Sequence, residues 1–139
     1  MEKDCRKNNN ILRIPTSLSG NFFRLWIEFL SPFHHLTPRE TEVAASFLNT
    51  RFTLSKSISD DTILNTVLMS KESKSKIMKE CNMTSAHFQA ILSKLREVKF
   101  IVDGVVNPKF IPKELNQDDK SFRLLIYFDF NEESNRQSI

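Results

Sequence analysis

Apolar residues recur three and four positions apart in several separate stretches of the chain, and this spacing predicts a mainly helical fold. The first stretch is "NFFRLWIEFL", residues Asn21–Leu30. Its predicted helix ends before Pro32, because a proline restricts the backbone of the residue that precedes it. We predict a flexible arm over residues 1–20, with a short strand at "ILRIP", and a single domain over residues 21–139.

The stretch "LTPRETEVAASFL" carries the clearest signal for the start of a helix. Thr37 is placed as the N-cap, Pro38 takes the first helical position, and Glu40 is placed to complete a capping box with Thr37. We therefore predict a helix from Pro38 to about Asn49. A further helix is predicted to begin at Ser59–Asp61, where capping residues precede another apolar stripe.

The stretch "KECNMTSAHFQAILSKL" predicts two helices joined by a tight turn. Ser73 is predicted as the N-cap of the first helix, Lys74–Cys81. Asn82 follows it and tolerates the positive φ that such a turn requires. Thr84 is predicted to cap the second helix, which runs to about Val98.

The end of the chain predicts a small β component. Asp103-Gly104 lies between two short β-branched runs, which is a strong hairpin signal, and Pro108 ends the second run. In "SFRLLIYFDF" every second residue from Phe122 to Phe130 is apolar, and the residues between them are mixed. This alternation predicts a strand over residues 121–130 with one buried face.

Composition narrows the function classes. The chain has 139 residues, of which 40% are hydrophobic and 27% charged, as in an ordinary globular domain. Two glycines are too few for the glycine-rich loops that bind nucleotide phosphates. The net charge is +3, and residues 71–99 hold seven basic against three acidic side chains. Positive charge is therefore concentrated around the two joined helices.

The order helix, tight turn, helix, hairpin resembles the winged helix-turn-helix family. Members often read Leu-Gly-Ile-Ser, then an apolar residue four positions on, two leucines at helical steps and an aliphatic start to the wing. The corresponding positions here are Cys81, Asn82, Met83, Thr84, Phe88, Leu92, Leu95 and Ile101. The resemblance implies a winged-helix core over residues 38–112, flanked by an N-terminal helix and a C-terminal strand. The layout also resembles small winged-helix proteins of tailed bacteriophages, which would make this a viral protein.

The resemblance implies that the second helix enters the DNA major groove while the first crosses the phosphate backbone. The residues expected at double-stranded DNA are then Lys74, Lys76, Lys79, Thr84, Ser85, His87, Gln89, Ser93 and Lys94. The alternative is that these are ordinary solvent-facing positions. His87 could equally be a surface residue, and the acidic wing turn at Asp103 argues against wing contact with DNA.

Other chemistry finds little support in the sequence. His34 and His35 are adjacent and so point apart, and neither Cys5 nor Cys81 stands at metal-ligand spacing from a histidine. We expect no metal, no cofactor and no enzymatic activity. The two cysteines are expected to be reduced thiols, and no apolar run approaches the length of a membrane span. We also expect no signal peptide.

The predicted function is sequence-specific DNA binding by a cytoplasmic regulator of transcription or replication, in the host cytoplasm if the chain is phage-encoded. The rival is a protein-interaction or virion-assembly module with the same fold and no DNA. A homodimer would suit the first function, because two recognition helices must span a turn of DNA. Leu125 and Tyr127, on the second face of the predicted C-terminal strand, could meet another subunit or a protein partner.

Overall fold

The computed structural model describes residues 11–130, and within them the fold is mainly helical with one small antiparallel sheet, as predicted. The elements in chain order are α1 (Phe22–Phe29), α2 (Ser31–His34), α3 (Pro38–Ser55), α4 (Asp61–Leu68), α5 (Lys71–Glu80), α6 (Ser85–Glu97), β1 (Ile101–Val102), β2 (Val105–Val106) and a 3₁₀-turn (Pro108–Phe110).

The central helix α3 begins with the predicted capping box. The backbone N–H of Glu40 donates to the Thr37 hydroxyl oxygen at 3.3 Å, and the Glu40 carboxylate accepts from the Thr37 N–H at 2.9 Å. The helix continues past the predicted end at Asn49 to Ser55 because Phe52 and Leu54 still pack against the core. Helices α1, α4, α5 and α6 all pack on α3.

Two helix starts test the capping predictions. The Asp60 carboxylate accepts from the N–H of Ile63 at 3.1 Å, so α4 begins where predicted. The predicted N-cap at Ser73 is wrong: Ser70 caps α5 instead, and its hydroxyl accepts from the N–H of Ser73. Ser73 lies inside the helix, where its own hydroxyl donates to the carbonyl of Val67 at 2.7 Å. Two serines three residues apart offer the same local chemistry, and both hydroxyls donate to the carbonyl of Val67, but only Ser70 has the extended backbone of an N-cap.

The hairpin forms as predicted. Asp103 and Gly104 both have positive φ, 55° and 76°, which is the backbone that a two-residue hairpin turn needs. Ile101 pairs with Val106 and Val102 with Val105. The 3₁₀-turn starts at Pro108 and ends the second strand.

One connected core joins the helices to the hairpin. The indole N–H of Trp26 donates to the carbonyl of Phe110 at 2.7 Å and ties α1 to the segment that follows the hairpin. Phe47 of α3 stacks on Phe88 of α6 with ring centroids 6.5 Å apart. The largest fully buried side chains are Phe47, Phe100, Ile27, Leu48, Leu64, Leu68, Ile77, Leu92, Leu95 and Val43.

Both predicted outer strands are wrong. Residues 121–130 contain no strand, and neither does "ILRIP" at residues 11–15. A strand needs a hydrogen-bonded neighbour, and the two-residue strands of the hairpin pair only with each other. Residues 1–10 of the predicted arm, and residues 131–139, lie outside the described part of the chain.

Candidate nucleic-acid interface

The turn between α5 and α6 is built by backbone hydrogen bonds around Asn82. Its φ of 57° is left-handed, as predicted. The N–H of Asn82 donates to the carbonyl of Lys79, and that of Met83 donates to the carbonyl of Met78, which together form a Schellman motif. Two residues later the Thr84 hydroxyl accepts from the N–H of His87 at 3.2 Å and starts α6. Local chemistry therefore fixes the angle between the two helices.

Helix α3 holds this turn in place. The Arg39 guanidinium donates to the carbonyl of Asn82 at 3.3 Å and pairs with Glu42 at 2.7 Å. The Ser46 hydroxyl donates to the Glu80 carboxylate at the end of α5. Cys81 lies between these contacts, at the C-terminal end of α5, and is half-buried. This burial is the main cause that raises the pKa of its thiol above 9.0. The turn is thus anchored to the body of the protein.

The inner and outer faces of α6 have different compositions. Phe88, Ile91, Leu92 and Leu95 are buried. The middle of the outer face carries three exposed small residues, Ala86, Ala90 and Ser93, which we call the small-residue strip. Ala86 and Ser93 are seven residues apart, which is close to two helical turns, so they lie on the same line along the helix.

Longer polar side chains border the small-residue strip on both sides. Seven-residue spacing places Gln89 in line with Arg96 on one border, and His87 in line with Lys94 on the other. Gln89, His87 and Arg96 are exposed, and Lys94 is half-buried with a stem long enough to carry its ammonium group to water. Within the described residues, no side-chain hydrogen bond engages the predicted Ser85, Gln89 or Ser93, so these groups are free to meet a ligand.

The three predicted lysines of α5 do not lie on one face. At about 100° per residue, Lys76 and Lys79 are about 60° apart around the helix, whereas Lys74 is about 160° from Lys76. Lys76 and Lys79 are exposed and Lys74 is half-buried. A single flat polyanion surface could therefore engage Lys76 together with Lys79, and would meet Lys74 only at the edge of the helix.

Two basic residues that we did not predict lie where α6 meets the hairpin. Arg96 and Lys99 line a shallow crevice together with Asp103 and Gly104 of the turn. Lys99 has a φ of 70°, a conformation that glycine adopts at lower cost. Arg96 could have been found from its alignment with Gln89, but no sequence signal marks Lys99. These two cations offset the acid of the hairpin turn.

The histidines have separate local roles. His34 is only 3% exposed; its Nδ1 accepts from the N–H of Leu36 at 2.9 Å, so its Nε2 donates to the carbonyl of Ile27 at 2.8 Å. Both ring nitrogens are therefore used within the fold. His35 is exposed with a φ of 53°. Among residues 11–130, no three His, Cys, Asp or Glu side chains are grouped so that they could hold a metal ion.

In the same range of residues, no helix combines the length and the apolar character that crossing a membrane requires. Comparison of the chain with protein-family models, with curated proteins and with solved structures found no match.

Proposed function

We propose that the chain is a winged-helix regulator of transcription or replication that binds double-stranded DNA sequence-specifically, with α6 in the major groove. The observation that carries the proposal is the small-residue strip of α6. A helix backbone can approach a groove floor closely where its outer side chains are short, and Ala86, Ala90 and Ser93 are all short and exposed. Gln89 stands at the edge of the strip, where its amide can pair with an adenine edge.

Charge around α6 supports the same proposal. Arg96 borders one side of the strip and Lys94 the other, so a phosphate strand on either side of the groove would meet a cation. Lys76 and Lys79 extend the positive surface onto α5. Glu97 at the far end of the strip limits close approach there, so the C-terminal end of α6 would enter the groove less deeply than the rest of the strip.

A salt titration tests whether the chain binds DNA at all. Affinity for a random duplex should fall linearly with the logarithm of salt concentration, with a slope of about −0.9 for each phosphate neutralised. Replacing Lys76 and Lys79 with Gln should flatten this slope by about two units and weaken binding to all duplexes alike. The matched control is Lys113→Gln, because Lys113 is exposed and lies beyond the hairpin. Lys74→Gln, on the other side of α5, should have the smaller effect.

A second experiment tests whether the small-residue strip is the contact. Ala90→Glu places a carboxylate in the middle of the strip, while Asn49→Glu places the same charge on an exposed position of α3. Both changes add one negative charge, so a general electrostatic effect would be equal for the two. We expect Ala90→Glu to abolish duplex binding and Asn49→Glu to reduce it only slightly. Equal losses would remove α6 from the interface.

Base reading is tested on a site selected from a random duplex library. Gln89→Ala and Ser93→Ala should weaken that site by about 1–3 kcal/mol and leave random duplex unaffected. Both residues are exposed, so melting should be unchanged. Equal losses on selected and random duplex would show that neither residue reads bases.

A protein-interaction or assembly module is the second candidate function, and one observation favours it. The chain from residue 123 to residue 130 is exposed and rich in large apolar side chains, which is unusual unless another molecule covers them. If the chain shows no measurable affinity for duplex even at low salt, this second function replaces the first.

A further inference from the structure

The segment from Ser121 to Phe130 is anchored at one end and free along the rest. The Phe122 ring packs against Phe22 and Trp26 of α1, with centroid separations of 5.6 and 5.5 Å. The large apolar side chains that follow are exposed: Leu124 45%, Leu125 79%, Ile126 58%, Tyr127 79%, Phe128 80% and Phe130 98%. Such a run costs free energy in water and needs a cover.

The backbone of this segment is also unpaired. Among the described residues, no backbone hydrogen bond involves any residue from 121 to 130. The segment contains no proline, so every N–H is available to a neighbouring strand. Apolar side chains that alternate along an unpaired backbone are what β-strand addition uses.

The order of residues indicates which strand would pair with the segment. If two copies run antiparallel with Ile126 opposite Ile126, each Arg123 lies opposite Asp129 of the other copy. The same register places Leu124 opposite Phe128 and Leu125 opposite Tyr127. Opposite charges and apolar pairs at facing positions both stabilise a sheet. In a parallel, in-register pair, by contrast, Arg123 would face Arg123 and Asp129 would face Asp129.

We propose that residues 122–130 form a homodimer by pairing antiparallel with the same residues of a second copy, with the two-fold axis at Ile126. Shifting the register by two residues in either direction leaves Arg123 and Asp129 without each other, so the charges select this register. The proposal needs no DNA and does not depend on the proposed function.

The same register supplies a cover for the most exposed ring. Phe130 of the partner subunit would lie opposite Phe122, and therefore beside the aromatic group formed by Phe122, Phe22 and Trp26. An isolated two-stranded ribbon is only marginally stable in water, and this contact gives the ribbon a surface to rest on at each end.

Charge reversal is the first test, with dimer formation followed by sedimentation over a micromolar concentration range. Arg123→Glu alone creates two Glu–Asp repulsions per dimer, and Asp129→Lys alone creates two Lys–Arg repulsions. Each single variant should dimerise at least about tenfold more weakly than wild type. Mixing the two variants restores two opposite-charge pairs, so the mixture should form a heterodimer of near wild-type affinity. Both positions are exposed, so melting should not change at concentrations where the wild-type chain is monomeric.

Disulfide trapping is the second test and reads the register directly. In a chain with Cys5 and Cys81 replaced by Ala, a mixture of Leu124→Cys and Phe128→Cys chains should cross-link on mild oxidation. Leu124→Cys alone should not, because two 124 positions would be roughly 13 Å apart along the paired strands, too far for a disulfide. A 124–124 cross-link would indicate parallel pairing and overturn the proposal.

Further outcomes also overturn it. A wild-type chain that stays monomeric over the whole concentration range has no such dimer. A dimer that tolerates both single reversals uses another surface. A protein that binds the segment of a monomeric chain would show that a different partner covers these residues.

Discussion

Replacing Thr37 with Ala should destabilise the protein through the start of α3. The change removes the hydroxyl oxygen that accepts from the Glu40 N–H at 3.3 Å, while the reciprocal bond to the Glu40 carboxylate can remain. Loss of an N-cap hydroxyl costs about 0.5–2 kcal/mol. The lower half of this range is the better expectation, because Thr37 is exposed and water can replace the lost acceptor. The consequence reaches the whole fold, because four other helices pack on α3.

Urea unfolding followed by Trp26 fluorescence measures this loss. Trp26 is the chain's one tryptophan and is buried, so its signal follows global unfolding. At about 1 kcal/mol the melting temperature should fall by roughly 3–5 °C for a chain of this length. Thr37→Ser keeps the acceptor and should stay close to wild type.

The control for Thr37→Ala is Thr66→Ala, because Thr66 is exposed to solvent and lies within α4, away from its N-cap. There alanine has the higher helix propensity, so the change should be neutral or slightly stabilising. If Thr37→Ala unfolds at the wild-type urea concentration with an unchanged slope, the hydroxyl contributes nothing and the capping argument fails.

Three further predictions follow from single residues. Lys99→Gly should raise the free energy of unfolding by about 0.5–1 kcal/mol, because glycine adopts the left-handed backbone at this position without strain. The same change should weaken duplex binding, and unchanged binding would exclude Lys99 from the proposed interface. Trp26→Phe should cost roughly 1–3 kcal/mol because the Phe110 carbonyl loses its donor, measured by circular dichroism; a cost near zero would mean that water replaces the indole. The raised pKa of Cys81 means that the folded chain binds more protons than the unfolded chain. The contribution of the neutral Cys81 thiol to the free energy of unfolding should therefore be fully present below pH 9.0 and should fall as pH rises above it. Cys81→Ala should lessen this fall in urea titrations. Parallel curves of stability against pH for the two proteins would contradict the prediction.

The parts of the fold that follow from local chemistry could be predicted from the sequence. The capping box at Thr37, the left-handed turn at Asn82 and the hairpin at Asp103-Gly104 each depend on a few neighbouring residues. Their hydrogen bonds join residues at most five positions apart, so they form without help from distant parts of the chain.

The wrong sequence-based predictions concern features that depend on the surrounding structure and not on neighbouring residues alone. Ser70 and Ser73 offer the same local capping chemistry, and the extended backbone at Ser70, with φ −71° and ψ 164°, makes Ser70 the N-cap. The alternation in residues 121–130 predicts a strand wherever a partner exists, and the described chain offers none. The end of α3 at Ser55 depends on the packing of Phe52 against α1, where its ring lies 5.6 Å from that of Phe23.

The candidate site was predictable as far as helical periodicity extends. The outward position of Gln89 and Ser93 follows from the buried stripe of α6. The same periodicity would have separated Lys74 from Lys76 and Lys79, and would have added Arg96. Lys99 could not be predicted, because its position beside the hairpin follows from a left-handed backbone that sequence assigns to glycine.

The hydrogen bond between Trp26 and Phe110 limits the order in which the chain can fold during its synthesis. The two residues are separated by 84 positions. At a synthesis rate of 5–20 residues per second, the acceptor is made roughly 4–17 s after the donor. Once α3 has been made, α1 can dock on it within this interval, but the indole N–H of Trp26 still has no final partner. Helix α1 can therefore complete its packing only after the segment that follows the hairpin has been made.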